Sequence, residues 1–215
     1  MSLWAIIPIK PLRRGKSRLS SVLTEQEREN LNHNLLIRSI NCLKQVKEID
    51  QIIVVSHDPA ALSFSREYGV RTIQENRNTN INNALRKATQ AAKAFSASRV
   101  LIIPADLPFM MPDDLTDLIS KSKSAPEIII NPDRKMYGTN ALFINPLGIL
   151  DYDFGQWSFK KHIEQAERKK IKVEIYNNER LGFDLDLPED LVLYKELIAK
   201  SGLLKTTYLQ EAKND

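Results

Sequence analysis

The sequence predicts an α/β fold built on a mostly parallel sheet flanked by helices, and three features carry that prediction. Apolar, strand-like runs alternate with helix-like segments through the first half of the chain. Such alternation pairs strands in parallel through right-handed crossovers. Residues 3–9 and 99–104 are apolar on both faces, as strands covered by helices must be. The charged residues that could do chemistry come just after these runs, where an open α/β sheet binds its ligands.

The elements follow in order. Leu3-Trp4-Ala5-Ile6-Ile7-Pro8-Ile9 reads as a buried strand. Residues 10–18 then hold five cations (Lys10, Arg13, Arg14, Lys16 and Arg18) together with Pro11 and Gly15, which break regular structure. The glycine spacing of a Walker A loop is absent, yet a cationic loop after a first strand suits phosphate. The plainer alternative is a solvated basic loop. Thr24-Glu25-Gln26-Glu27 is a capping box, starting a helix near residue 25 that runs to about Val46. Cys42 and His33 lie on it; the cysteine reads as a small buried residue. Strands follow at 51–56 and 70–73, with a short helix over 60–67 between them, then a helix over 80–95 and the strand 99–104. Asp106 stands at the tip of that last strand, well placed for a metal, although a turn aspartate before a proline is the simpler reading. A helix begins at Pro112, and 127–131 is a strand.

The pattern then changes. After a loop at 132–138, the run from Thr139 to Ile144 reads as a strand reversing direction. Residues 153–159 precede a helix carrying His162. There Gly155 and Ser158 could present backbone N–H groups and a hydroxyl to an anion at a helix start, unless Ser158 is simply the N-cap. Residues 172–176 alternate like an edge strand. In Leu181-Gly182-Phe183-Asp184-Leu185-Asp186-Leu187-Pro188-Glu189-Asp190, two carboxylates sit two apart before a helix over 188–199. In extended backbone they share one face with Leu185 turned inward; on a helix they would lie roughly 200° apart. Converging carboxylates repel, and a hard cation such as Mg²⁺ relieves the repulsion. The competing reading makes Asp186 the cap of the following helix. From Ser201 onward the tail is polar and loosely held.

Composition excludes several classes. A chain of 215 residues can bury one good-sized core, expected over 1–200. No apolar run approaches the roughly 20 residues of a membrane helix, and the first residues do not read as a signal peptide. One cysteine allows no intrachain disulfide and argues against zinc. Together these point to the cytoplasm. A net charge of +4 fits an anionic ligand, and 7% aromatics without basic interleaving weigh against a nucleic-acid surface.

Several of these stretches together are similar to one family. They are Ile7-Pro8-Ile9-Lys10-Pro11 through Gly15-Lys16-Ser17-Arg18-Leu19, Val55-Ser56, Pro104-Ala105-Asp106-Leu107-Pro108, Gly138-Thr139-Asn140-Ala141-Leu142, Phe154-Gly155-Gln156-Trp157-Ser158-Phe159 with His162, and 184–190. In order and spacing they resemble the 2-phospho-L-lactate guanylyltransferase family of deazaflavin coenzyme F-420 biosynthesis, over residues 4 to about 195. The departure is Arg134-Lys135-Met136-Tyr137 before Gly138, where the family often has a second glycine. The resemblance implies a single Rossmann-like nucleotidyltransferase domain with a mixed sheet and two Mg²⁺ ions. It implies Asp106, Asp184 and Asp186 as metal ligands, with Lys16 and Asp106 catalytic. Lys10, Lys16 and Arg18 would meet the GTP phosphates, and Thr139, Gly155 and Ser158 the phosphorylated three-carbon acid. Phosphoenolpyruvate is the alternative acceptor, and a non-catalytic nucleotide-binding module is the alternative of another class. Neither nucleic acid nor membrane is an expected partner, and a homodimer is one possible state. No residue reads guanine from the sequence.

Overall fold

The computed structural model describes residues 2–76 and 80–200, so the polar tail expected from residue 201 lies outside the described residues. The first apolar run forms β1 (Ser2–Pro8), inside a seven-stranded sheet. Its side chains alternate between two cores, Leu3, Ala5 and Ile7 in one and Trp4 and Ile6 in the other, because successive strand residues face opposite sides. Burial on both sides explains why the run shows no polar alternation.

The remaining strands are β2 (Gln51–Ser56), β3 (Arg71–Gln74), β4 (Ala97–Ile102), β5 (Glu127–Pro132), β6 (Thr139–Asn145) and β7 (Lys172–Ile175). Their spatial order is β3-β2-β1-β4-β6-β5-β7. β1 pairs in parallel with β2 and β4, β2 with β3, and β5 with β7. Only β6 runs against its neighbours, antiparallel to both β4 and β5, so the reversal read at Thr139 is real. β7 is an edge strand, as its alternation indicates. The fold class read from the sequence therefore stands.

The helices are α1 (Glu25–Lys44), α2 (Pro59–Glu67), α3 (Ile81–Ala94), α4 (Pro112–Ser120), α5 (Ser158–Arg168), α6 (Glu179–Gly182) and α7 (Pro188–Lys200). The capping box at Thr24 and Glu27 is formed in both directions. Boundaries move slightly: α1 stops at Lys44 rather than near Val46, and β4 opens at Ala97 rather than Arg99. The turn α6 is absent from the sequence reading. It forms because the Asn178 side chain accepts from the N–H groups of Arg180 and Leu181 at 2.9 and 3.1 Å.

Two features of this fold position a site. β1 and β4 lie side by side and parallel, and the chain continues from them toward opposite edges of the sheet. The loops leaving such a pair of strands bound a crevice, the usual ligand position in an open α/β sheet. The second feature is a register shift where β5 meets β6. Asn131 pairs with Ala141 but Pro132 pairs with Thr139, leaving Asn140 as an extra residue. A bulge of this kind re-aims side chains. Thr139 consequently meets α5 while Asn140 meets the turn α6.

Candidate functional site

The basic loop after β1 is held by a hydrogen bond within it and by two from groups distant in sequence. Gly15 N–H donates to Pro11 O at 2.7 Å, Leu12 N–H to the Asp58 carboxylate at 2.9 Å, and Asn32 Nδ2 to Leu12 O at 2.7 Å. A Cβ on Gly15 would lie 2.6 Å from Asn32 Nδ2, so glycine is needed for the close approach of α1. Lys16 follows with a left-handed backbone (φ 55°), and a 3-10 turn at Ser17–Leu19 then buries Leu19 completely. Leu19 packs with Phe183, Leu185 and Leu191 in a small separate core. That core welds the basic loop to the aspartate segment.

The aspartate segment behaves as extended backbone. Phe183 and Leu185 are buried, and Asp184 and Asp186 are turned away from that core. Leu185 N–H donates to Asp106 O at 3.1 Å, which lays the segment against the loop after β4. The alternative role for Asp186 is excluded by the hydrogen bonds around α7. Asp190 does the capping instead, accepting from Asp186 N–H at 3.0 Å and Leu187 N–H at 2.7 Å. Asp190 stands three residues after Leu187, the position of the acidic partner in a capping box, although Leu187 has no side-chain oxygen to complete one.

Lys16 lies between these carboxylates. Its Nζ donates to Asp106 Oδ2 at 2.8 Å and to Asp186 Oδ1 at 2.7 Å, with only 7% of the side chain exposed. Burial alone would pull this ammonium down, but Asp106 and Asp186 outweigh it and hold it above the ordinary lysine range. Asp186 is likewise opposed by burial. Lys16, with Arg18 and Lys10 behind it, still brings it below the usual carboxylate range. Arg18 Nη1 approaches Asp186 Oδ2 to 3.8 Å from the solvent side. Among the described residues Asp184 has no such cation. Burial first, then the charges of Asp106 and Asp186, push its carboxyl up to about 6.

The structure thus brings together Lys16, Arg18, Asp106, Asp184 and Asp186, and places Lys10 within their field. Among the described residues no group of three acidic, histidine or cysteine side chains is drawn tightly enough to ligate one ion as it stands. Lys16 Nζ bridges two of the three carboxylates instead. The donor set itself suits a hard divalent cation: all oxygen, anionic, and carrying one carboxylate that no cation among the described residues neutralises.

Thr139, Gly155 and Ser158 form a second group. Thr139 is buried, and its Oγ1 lies 3.1 Å from His162 Nδ1. Gly155 has φ +124°, a backbone that residues with a Cβ rarely adopt, and its carbonyl accepts from Ser158 N–H. Ser158 is not the N-cap of α5, as one reading of the sequence had it. Trp157 occupies that position with a left-handed backbone, and the buried Ser158 is the first helical residue. The main chain links α5 to the loop before β6 through Phe159 N–H and Tyr137 O at 3.2 Å.

Three residues given no site role by the sequence reading connect or stiffen the groups. Asn140, next to Thr139, donates to Leu181 O, Gly182 O and, at 3.4 Å, Asp184 Oδ1. It ties the two groups together, and only its place in the Gly138–Leu142 stretch hinted at it. His162 is fully buried behind Thr139. Arg134, from the loop where the chain departs from the family pattern, pairs with Asp190 and lies 4.3 Å over the Phe183 ring. That loop is therefore clamped to the aspartate segment.

Comparison with known proteins identifies the family and the fold. The family described as guanylyl transferase CofC like matches residues 3–213. A phosphoenolpyruvate guanylyltransferase of Rubrobacter xylanophilus is 36% identical over 191 residues, 89% of this chain and 92% of that protein. A 2-phospho-L-lactate guanylyltransferase of Methanobrevibacter smithii is 33% identical over 212 residues, 98% of this chain and 91% of that protein. Among solved structures, a putative nucleotide-diphospho-sugar transferase from Desulfovibrio desulfuricans superimposes with a TM-score of 0.70 at 16% identity. It covers 91% of this chain and 88% of that one, and it supports the fold. The chain belongs to the CofC-like guanylyl transferase family.

Proposed function

We propose that the protein transfers GMP from GTP to the phosphate of 2-phospho-L-lactate, releasing pyrophosphate, as a step of coenzyme F-420 biosynthesis in the cytoplasm. The observation that carries this reading is the Lys16 ammonium held between Asp106 and Asp186, with the uncompensated Asp184 beside them, at the crevice between β1 and β4. Phosphoenolpyruvate is the second reading for the acceptor, favoured by the 36% identity to an enzyme named for it.

Asp106, Asp184 and Asp186 are the residues that would hold Mg²⁺. When bound, Mg²⁺ supplies positive charge where the reacting phosphate oxygens crowd together. Lys16, Arg18 and Lys10 meet the triphosphate and its pyrophosphate leaving group, Lys16 being the cation closest to the carboxylates. Thr139, Ser158 and the N–H groups around Gly155 hold the acid with donors that carry no charge of their own. The acceptor phosphate oxygen attacks the α-phosphorus; the bond to the bridging oxygen of the leaving pyrophosphate breaks. A phosphate monoester loses its second proton near roughly pH 6, so the nucleophile needs no general base. His162 is poorly suited to be one, since burial pushes it down to about 4 and both ring nitrogens have partners. GTP and the acid are thus the partners, without nucleic acid or membrane. Among the described residues no helix is long and apolar enough to cross a membrane.

The test is to incubate the protein and Mg²⁺ with each nucleoside triphosphate and each of the two acids, and to weigh the product. A guanylylated three-carbon acid is expected. Products from other bases, or GTP consumed without acid, would overturn the reading.

A further inference from the structure

The pair Thr139–His162 has a definite proton direction. The backbone N–H of Asp153 donates to His162 Nε2 at 3.1 Å, and a backbone N–H can only donate. Nε2 is therefore the bare nitrogen, and the ring proton is on Nδ1. That nitrogen lies 3.1 Å from Thr139 Oγ1, so the imidazole donates and the hydroxyl oxygen accepts. A hydroxyl whose oxygen already accepts has its own proton to give elsewhere.

We propose that His162 is a positioning residue for the acceptor. Its Nδ1–H fixes the Thr139 hydroxyl as a hydrogen-bond donor, aimed at an anionic oxygen of the phosphorylated acid. This deepens, and rests on, the placement of Thr139 at the acceptor.

The surroundings fit a fixed, neutral imidazole. His162 is 0% exposed. Its ring packs edge-on against Phe154 at 4.9 Å. Phe154 is itself held by Asn82 through two hydrogen bonds, 2.7 Å from its N–H and 3.2 Å to its carbonyl. The charged groups that act on the ring are Asp153 and Lys161, which pair with each other at 3.2 Å. Burial dominates over both and keeps the ring uncharged, holding it down to about 4. The same ring therefore anchors the chain at Asp153 with one nitrogen and orients Thr139 with the other, so the segment leading to Gly155 and Thr139 both take their register from it. A hydroxyl fixed as a donor suits a carboxylate or phosphate oxygen, which can only accept, and needs no reorientation when the acid arrives.

Two measurements test this on the full-length enzyme. The first is ring ¹⁵N NMR of histidine-labelled wild-type protein without substrate, with the His162 signals assigned by their loss in His162→Asn. The Nδ1–H tautomer is expected between pH 6 and 8; an Nε2–H tautomer overturns the proposal whatever the variants do. The second is kinetics with GTP and acid varied separately. His162→Gln can reach the Nε2 position but not Thr139, and should raise the acceptor KM by about tenfold with the GTP KM unchanged. His162→Asn keeps an amide N–H near the Nδ1 position and should restore most of that loss. Thr139→Val should raise the acceptor KM at least as much. If Thr139→Val is effective but His162→Gln is silent, or moves both KM values together, the positioning role alone falls. If Thr139→Val is itself silent, the acceptor reading of Thr139 falls, and the proposal with it.

Discussion

Replacing Asp184 by Asn should make the protein more stable and abolish its activity. The carboxyl is raised from 3.8 to about 6 by burial and by Asp106 and Asp186. Its ionised form is therefore less favourable in the folded state than in the unfolded one. At 1.36 kcal/mol for each tenfold change in proton affinity, the folded protein gives up about 2–3 kcal/mol once the group is fully ionised. The sign follows directly. Below pH 4 both states are protonated and nothing is lost. As pH rises from about 4 to about 6 the unfolded state ionises first, and stability falls. Above pH 6 the whole loss is in place. Asn at 184 keeps an oxygen for Asn140 Nδ2, which lies 3.4 Å from Asp184 Oδ1, and carries no charge. In metal-free buffer at pH 7.5, the variant should melt roughly 5–10 °C above wild type. The gap should shrink toward pH 4.5. Added Mg²⁺ should raise the wild-type melting temperature and leave the variant's nearly unchanged, because only the wild type offers all three carboxylates. Calorimetry across this pH range, with and without Mg²⁺, makes the check. Equal melting temperatures at pH 7.5 would refute the electrostatic reasoning, and wild-type turnover in the variant would refute the assignment of Asp184 to the metal.

Lys16→Ala removes the cation that lies within 3 Å of both Asp106 and Asp186, and should lower metal-free stability by about 2–3 kcal/mol, measured by denaturant unfolding. The loss stays below that of a fully buried pair because the Asp186 side chain is 38% exposed. The same variant should weaken GTP binding, as read by calorimetric titration, with little change in acceptor affinity. Gly15→Ala forces Asn32 away from the loop and should cost about 1–3 kcal/mol while raising the GTP KM more than the acceptor KM. Ser158→Ala should raise the acceptor KM. Since Ser158 is not the N-cap, its thermal unfolding should shift by less than the roughly 1 kcal/mol of a lost cap.

Much of the fold was readable because it is locally encoded. The two-sided apolar runs and the capping box at Thr24 each carry their signal within a few residues. The spacing of Asp184 and Asp186 likewise foretold a shared face with Leu185 inward. What escaped depends on distant partners. Nothing near Lys16 announces carboxylates 90 and 170 residues away, and nothing near Gly15 announces Asn32 pressing against it. The bulge that sends Thr139 and Asn140 to different elements is a matter of hydrogen-bond register, which sequence does not write out. His162 escapes as well, because a lone helical histidine has no local mark of its role. Its importance comes from Asp153 on one nitrogen and Thr139 on the other.

Attack by the acceptor phosphate on the α-phosphorus of GTP is tested most directly by oxygen labelling. The phosphoryl oxygens of 2-phospho-L-lactate would be enriched in ¹⁸O, and the products followed by ³¹P NMR. The expected result is ¹⁸O in the oxygen bridging the two phosphorus atoms of the product, with unlabelled pyrophosphate released. Label in the pyrophosphate, or GDP and inorganic phosphate as the products, would contradict guanylyl transfer at this site.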